Sequence, residues 1–250
     1  MMNGALLKTE GLSLAFGGVV AADRIDFELH EGERLAVVGQ NGAGKTTFIN
    51  IVTGFLRPDA GTVRFAGADV TNHSPRDITR RGLGRSFQLP QVFLEHSVRE
   101  CLLIAASAHA KGSGGGFLRP LHDSVNAAEV DSTLELIELK GRADEPASSL
   151  PEGQRKLLDV AMALVLHPKL LIMDEPTSGV SSDEKHALMD TLMRSLDEKR
   201  VTAIFVEHDI EIVRRHATRL AAWINGRIAA DGPPEQVLAD PEVIRNVVGG

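Results

Sequence analysis

The spacing of apolar and polar residues changes period several times along the chain, and each change predicts a new element. Leu12, Leu14 and Phe16 alternate with Ser13 and Ala15 until Gly17-Gly18 breaks the run. Ile25, Phe27 and Leu29 alternate with Asp26 and Glu28 until the turn at Glu31-Gly32. A period of two predicts half-buried strands at both places. Leu35-Ala36-Val37-Val38 is apolar throughout, as in a strand covered on both faces. Residues 47–52 contain no breaker before Gly54 and predict a helix, after which Pro58-Asp59-Ala60-Gly61 supplies turn chemistry and Thr62-Val63-Arg64-Phe65 a further strand. An antiparallel layer wrapped on the edge of an α/β core accounts most simply for this half.

Further on, the period becomes helical. Ser97-Val98-Arg99-Glu100 has the form of a capping box, opening a helix through about Ala110. Val130, Leu134 and Ile137 recur at helical spacing, as do Leu157, Ala161 and Leu164. Leu170-Leu171-Ile172-Met173 is a buried strand ending in Asp174-Glu175, and Ser181-Ser182-Asp183-Glu184 caps a helix carrying Leu188, Leu192 and Leu196. Residues 201–206 predict another buried strand, ending at Glu207-His208-Asp209. Asn225-Gly226 predicts a tight hairpin, and Pro233 and Pro241 each open a short terminal helix. The expected organisation is one domain in three stretches: residues 1–88 and 159–250 form an α/β core, and residues 89–158 form a helical insert.

Chemistry enters at Gly39-Gln40-Asn41-Gly42-Ala43-Gly44-Lys45-Thr46-Thr47, which sits between the apolar strand and the helix start. Strand, glycine loop and helix start make a phosphate cradle. Gly39, Gly42 and Gly44 let the loop's N–H groups, with those of Asn41, Ala43 and Thr47, turn toward phosphate oxygens. Lys45 sets an ammonium on the β- and γ-phosphates, and Thr46 offers its hydroxyl to Mg²⁺. A second glycine-rich stretch, residues 111–116, lacks both a preceding strand and a following Lys-Thr, so it reads as a solvated linker.

Bulk composition narrows the partners. The 250 residues carry a net charge of −7, which argues against a nucleic-acid binder needing a basic face. A single cysteine excludes an internal disulfide, and its apolar neighbours Leu102, Leu103 and Ile104 make Cys101 a packing residue. No Cys/His cluster has zinc spacing. The most apolar region, residues 157–173, is interrupted by Asp159, His167, Pro168 and Lys169, too broken for a membrane span. No signal peptide is evident, so a cytosolic protein is expected, any membrane role coming through a partner.

Four further positions lie where a phosphate-loop ATPase needs them. Asp174 ends an apolar strand, placed to hold Mg²⁺, and Glu175 beside it is placed to orient and deprotonate the attacking water. His208 follows the next buried strand, within reach of a γ-phosphate. Gln88, in Ser86-Phe87-Gln88, offers an amide at the entry to the insert. A fifth segment, Ser149-Leu150-Pro151-Glu152-Gly153-Gln154-Arg155-Lys156, opens a helix.

With that segment in place, the chain resembles the ATP-binding-cassette ATPases along almost its whole length. The resemblance implies a phosphate-loop NTPase (RecA-like) core with an antiparallel β subdomain and an inserted α-helical subdomain, taking ATP and Mg²⁺. It implies a head-to-tail dimer, homodimer or heterodimer, with each nucleotide between one subunit's phosphate loop and the other's signature helix. Gly153 and Gln154 would then face the partner's nucleotide, and Gln88 would join Thr46 and Asp174 around the metal. Phe16 occupies the place of the aromatic residue that stacks on adenine, a core strand phenylalanine being the alternative. Phe16-Gly17-Gly18, Arg85-Ser86-Phe87-Gln88, Val206-Glu207-His208-Asp209 and Asp231-Gly232-Pro233-Pro234-Glu235 resemble the ATP-binding subunits of branched-chain amino-acid importers. That branch implies integral-membrane permease subunits, a solute-binding protein acting indirectly, and a peripheral place on the cytoplasmic face of the membrane. Val92, Phe93 and Leu94 are expected either to line the permease's docking groove or to form a local core cluster. A soluble cassette ATPase acting on a protein or nucleic-acid partner is the competing reading; its usual basic extensions and coiled-coil arms are not evident.

Two departures from the family pattern stand out. Pro151 and Glu152 replace the serine and first glycine of the usual signature, so the serine's bond to the γ-phosphate is lost; Ser149 or the Gly153 amide would have to compensate. Ser181 stands where the family often has aspartate, which puts coupling between the two sites in question.

Overall fold

A computed structural model describes residues 4–110 and 127–248, so the linker expected at residues 111–116 lies outside the described residues. Strands β1 (Leu7–Phe16) and β2 (Val19–Leu29) pair antiparallel, Leu7 opposite Leu29 and Phe16 opposite Val19. Strand β3 (Arg34–Gly39) then leads through the glycine loop into helix α1 (Lys45–Val52). The chain returns to the first sheet as β4 (Ala60–Phe65) and the two-residue β5 (Ala68–Asp69), giving the order β2-β1-β4-β5.

Helix α2 (Pro75–Arg80), capped by Ser74, and strand β6 (Leu83–Ser86) precede the insert. Neither has enough length or alternation to be legible in the sequence. The insert supplies α3 (Val98–Ala110), α4 (Ala127–Leu136) and α5 (Glu152–Leu164). The capping box closes reciprocally: Ser97 N–H donates to Glu100 Oε2 at 2.8 Å and Glu100 N–H to Ser97 Oγ at 3.2 Å. Helix α5 runs unbroken through position 158, so the junction expected there falls inside one rigid rod.

Strands β7 (Leu170–Asp174) and β8 (Thr202–Val206) flank helix α6 (Ser182–Lys199), and α7 (Ile210–His216) leads to the hairpin β9 (Arg219–Ile224) and β10 (Arg227–Gly232). The second sheet has the order β10-β9-β3-β8-β7-β6, parallel except for β10. Helix α8 (Pro234–Leu238) starts one residue later than expected, with Pro233 as its N-cap. Asn225-Gly226 turns the hairpin with both φ positive, 50° and 79°, as its type requires.

The continuous apolar runs exist because the second sheet is covered on both faces. Leu35 and Val37 of β3, Ile172 of β7 and Ile204 and Val206 of β8 face one core, with Phe48, Trp223 and the first sheet. Ala36, Val38, Met173 and Phe205 face the other, against α4, α5 and α6. Beta strands alternate faces, so one run feeds two cores. Phe48 of α1 anchors the first core, its ring 5.4 Å from Phe27 and 5.1 Å from Trp223. In this parallel sheet β3, β7 and β8 all point their C-terminal ends the same way. The glycine loop, Asp174-Glu175 and Glu207-His208 therefore emerge on one edge, where open α/β sheets bind ligands.

Candidate active site

The glycine loop is shaped by close approach to its neighbours. A Cβ on Gly39 would lie 2.5 Å from the Trp223 carbonyl, and one on Gly44, at φ 101°, would lie 2.3 Å from the carbonyl of Ala21 in β2. Gly226 N–H donates to Ala43 O at 2.9 Å, so the β9–β10 hairpin supports the loop from behind. Gly44 is the N-cap of α1, whose first turn has neither a side-chain cap nor an acid. Its N–H groups and dipole are thus available to an anion. Gly44→Ala is expected to lose at least about 2 kcal/mol of stability through combined clash and left-handed strain, together with most nucleotide binding. Urea unfolding and nucleotide titration check this; a wild-type unfolding midpoint would contradict it.

Lys45 is buried, and its ammonium donates to the loop's own Gly39 and Gln40 carbonyls, the latter at 3.0 Å. Burial pushes the Lys45 amine below its usual range, while the Glu175 and Asp174 carboxylates oppose that shift. Thr46 is exposed at the first turn of α1 and Thr47 is half-buried. Phe16, at the end of β1, is 51% exposed, which removes the core-residue alternative.

At the strand ends, Glu175 is gripped from two sides. Gln88 Nε2 donates to its Oε2 at 2.8 Å, and His208 Nε2 lies 3.0 Å from its Oε1, which requires the histidine proton on Nε2. Glu175 itself sits at φ 51°, a left-handed turn uncommon for a residue with a side chain. Its N–H donates to Val206 O at 3.1 Å, and its carbonyl accepts from Lys156 Nζ at 3.0 Å. Next to it, buried Glu207 accepts from the Thr177 amide at 3.0 Å and hydroxyl at 2.7 Å, locking the loop after β7 to the end of β8.

Asp174 faces Arg85, at 3.4 Å. Burial pushes the Asp174 carboxyl up, Arg85 opposes this, and Glu175 adds to it. Arg85 also donates to Asn50 Oδ1 at 2.6 Å and lies over the Phe55 and Phe87 rings. No group of three His, Cys, Asp or Glu side chains forms a metal cage among the described residues. A cation here would need the Asp174 carboxylate, the Thr46 hydroxyl, the Gln88 amide, waters and phosphate oxygens, a donor set suited to Mg²⁺.

The fold brings Gln88, Glu175, His208, Asp174 and the phosphate loop to one place. It does not bring Gly153 and Gln154 there: Gln154 Oε1 accepts from Arg142 at 2.6 Å, and Gly153 packs toward Leu188. Pro151 is the N-cap of α5. Glu152 is paired with Arg155 at 2.8 Å, so its charge is partly neutralised. Ser149 Oγ lies 2.8 Å from Pro146 O and 3.2 Å from Glu145 Oε2, so its hydroxyl proton is used within the chain. Ser181 caps α6 by position, but its hydroxyl donates to Glu184 at 2.7 Å instead of accepting from a backbone N–H.

Two functional-looking side chains on α5 carry no signal in the sequence pattern. Lys156 and Asp159 are charged residues that an amphipathic helix ordinarily turns to water, yet they are only 4% and 8% exposed. Asp159 accepts from the amides of Gln91 at 2.9 Å and Phe87 at 3.4 Å. Burial nevertheless pushes its carboxyl from 3.8 up to about 6. A raised folded-state value means that the folded chain holds this proton more tightly than the unfolded chain. The associated stability is present below the unfolded value and is lost as pH rises to about 6. Asp159→Asn removes this dependence. Relative to the variant, the wild type is expected to lose up to about 3 kcal/mol between about pH 4 and pH 7, from two pKa units at 1.36 kcal/mol each. Paired urea melts check this, and a pH-independent difference would contradict it.

A phosphate loop, an Asp-Glu pair and a histidine share one sheet edge, flanked by an antiparallel layer and a helical insert. That combination defines an ATP-hydrolysing cassette, and the chain belongs to the ABC transporter family, whose match covers residues 22–178. It is 37% identical over 248 residues to a probable branched-chain amino acid transport ATP-binding protein, LivG, of Archaeoglobus fulgidus, covering 98% of this chain and 95% of the relative. To the high-affinity branched-chain amino acid transport ATP-binding protein BraF of Pseudomonas aeruginosa it is 30% identical, covering 99% of each. Among solved structures, the ADP conformation of an ATP-binding cassette of an ABC transporter superposes with a TM-score of 0.82 at 32% identity, covering 98% of this chain and 99% of the other.

Proposed function

We propose that this ATPase powers the import of branched-chain amino acids or similar small solutes through integral-membrane permease subunits, with a solute-binding protein delivering the solute. The observation that carries this reading is the Glu175 carboxylate fixed by Gln88 and His208 beside the phosphate loop, in a chain whose full-length relatives bear that transport name. Glu175 takes the proton of the attacking water, and Gln88 and His208 hold its two oxygens at the angle that requires. Lys45 and the α1 N-terminus neutralise the β- and γ-phosphates, and Phe16 stacks on adenine. Thr46, Asp174 and Gln88 are the residues that would hold Mg²⁺, which when bound neutralises charge between the β- and γ-phosphates.

The working unit is a dimer, of two copies or of this chain with a second cassette, in which Gly153 and Gln154 meet the partner's nucleotide. Among the described residues no helix is long and apolar enough to cross a membrane. As the ATP-binding partner of permease subunits, the chain acts peripherally, on the cytoplasmic face. Its contact with the permease is the surface around the Gln88 loop, where Phe55, Leu89, Phe93 and Leu94 are exposed beside a cavity of about 300 Å³ lined by Ile78, Phe87 and Met162. Co-expression with branched-chain amino-acid permease subunits is expected to give a complex that takes up leucine in proteoliposomes with ATP. Phe93→Ser with Leu94→Ser is expected to weaken that complex at least tenfold, an apolar loss of about 1.4 kcal/mol or more. Isolation with nucleic acid or a soluble scaffold, and with no membrane protein, would refute the reading.

A further inference from the structure

Lys156 and Asp159 lie three residues apart, on one face of α5 and one turn in from its N-terminus. Both are buried and both point at the Gln88 loop. Asp159 accepts from Phe87 and Gln91, the amides that bracket Gln88. Lys156 donates to the carbonyl of Gln88 itself at 3.2 Å and to that of Glu175 at 3.0 Å. The two loops it joins leave neighbouring strands, since Ser86 of β6 is registered against Met173 of β7. Helix α5 therefore holds the Gln88 turn at three backbone points and ties it to the peptide of Glu175.

This arrangement is costly in isolation. Burial pushes the Lys156 amine down, opposed by Glu152, Glu207, Glu175 and Asp159, and its two hydrogen bonds go to backbone carbonyls rather than to a carboxylate. A buried ammonium and a buried carboxylate placed on backbone groups serve geometry more readily than stability. Between the two loops held this way lies the 2.8 Å contact from Gln88 Nε2 to Glu175 Oε2.

We infer that Lys156 and Asp159 are positioning residues that bind the Gln88 loop and the Glu175 peptide to α5 as one unit. A movement of the helix N-terminus, which meets the nucleotide of the partner subunit, is thereby delivered to the water-activating carboxylate of this chain's own site. The inference rests on the proposed roles of Glu175 and of the signature helix, and it adds a route between two nucleotides that neither role contains. The link runs through one continuous helix and named hydrogen bonds.

Lys156→Met, Asp159→Ala and Asp159→Asn, each measured in the full chain with and without its permease, test this. Lys156→Met and Asp159→Ala are expected to lower kcat about tenfold or more while leaving the Kd for MgATP within about twofold, the split produced by misplacing a reacting group rather than by losing binding. Asp159→Asn retains an acceptor oxygen for Gln91 and is expected to recover activity to within about threefold of wild type. Should Lys156→Met fail to fold, the pair Asp159→Ala and Asp159→Asn gives the same contrast. Wild-type kcat in Asp159→Ala would overturn the inference, as would a matching loss of ATP affinity or equal activity in the alanine and asparagine variants. Glu175→Gln run alongside separates the two ideas: if it is inactive while the α5 variants turn over normally, only the coupling fails, whereas normal turnover in Glu175→Gln removes the reading beneath it.

Discussion

Glu175→Gln is expected to bind ATP as the wild type does, to lose turnover by roughly two to four orders of magnitude, and to accumulate as a nucleotide-bound dimer. The substitution removes the base and little else. Glutamine keeps the length of the side chain, an oxygen that can accept from Gln88 or His208, and the left-handed backbone at φ 51°. Lys45, the α1 N-terminus and the loop amides, the proposed phosphate grip, are untouched. Binding and chemistry therefore separate. ATP then holds the dimer closed, because the step that reopens it is the one lost. Hydrolysis assays with size-exclusion chromatography in MgATP read both parts, and wild-type turnover would refute Glu175 as the base.

Lys45→Ala is expected to weaken ATP binding roughly 100-fold or more, since charge-assisted hydrogen bonds to phosphate contribute about 1.5–3 kcal/mol each and two or more are lost. The folded protein has little reason to suffer. The Lys45 ammonium is buried, with its bonds directed to the Gly39 and Gln40 carbonyls, so alanine relieves a desolvated charge even as it frees two acceptors. Nucleotide titration by calorimetry, with circular dichroism as a check on folding, measures this. Wild-type affinity in a folded Lys45→Ala variant would contradict the cradle. Together the two variants assign binding to the loop and chemistry to the strand-end carboxylate.

How far the sequence reveals this site depends on whether each piece is local. The phosphate loop is legible because strand, glycines, lysine and helix start are consecutive, and each residue has a conformational or charge reason to be there. Asp174-Glu175 is legible as a strand end because β7 is buried on both faces and must read as unbroken apolar sequence. The meeting of Gln88 and His208 on Glu175 is different: the contacts span 87 and 33 residues, and only the parallel order β8-β7-β6 makes them neighbours. Chain order singles out His208 past a buried strand and Gln88 at the entry to the insert; periodicity alone does not show that they meet.

Arg85, Lys156 and Asp159 escaped for a common reason. Charged residues beside apolar ones normally mark the wet side of an element, and no pattern announces that a loop will fold over them. Strand β6 escaped because Leu83-Gly84-Arg85-Ser86 is an edge strand with no alternation to display. The junction expected at position 158 fell within α5 because helical spacing says which face is apolar, not where one rod passes from insert to core.

The hairpin behind the phosphate loop makes the chain its own optical gauge. Trp223 is the single tryptophan, and there is no tyrosine. Its carbonyl abuts Gly39, and its shielded indole rests on Phe48, one turn into the helix that follows the glycine loop. Emission excited near 295 nm therefore comes from one fluorophore wedged against the loop, so occupancy by unlabelled nucleotide can be followed in real time without attaching a dye.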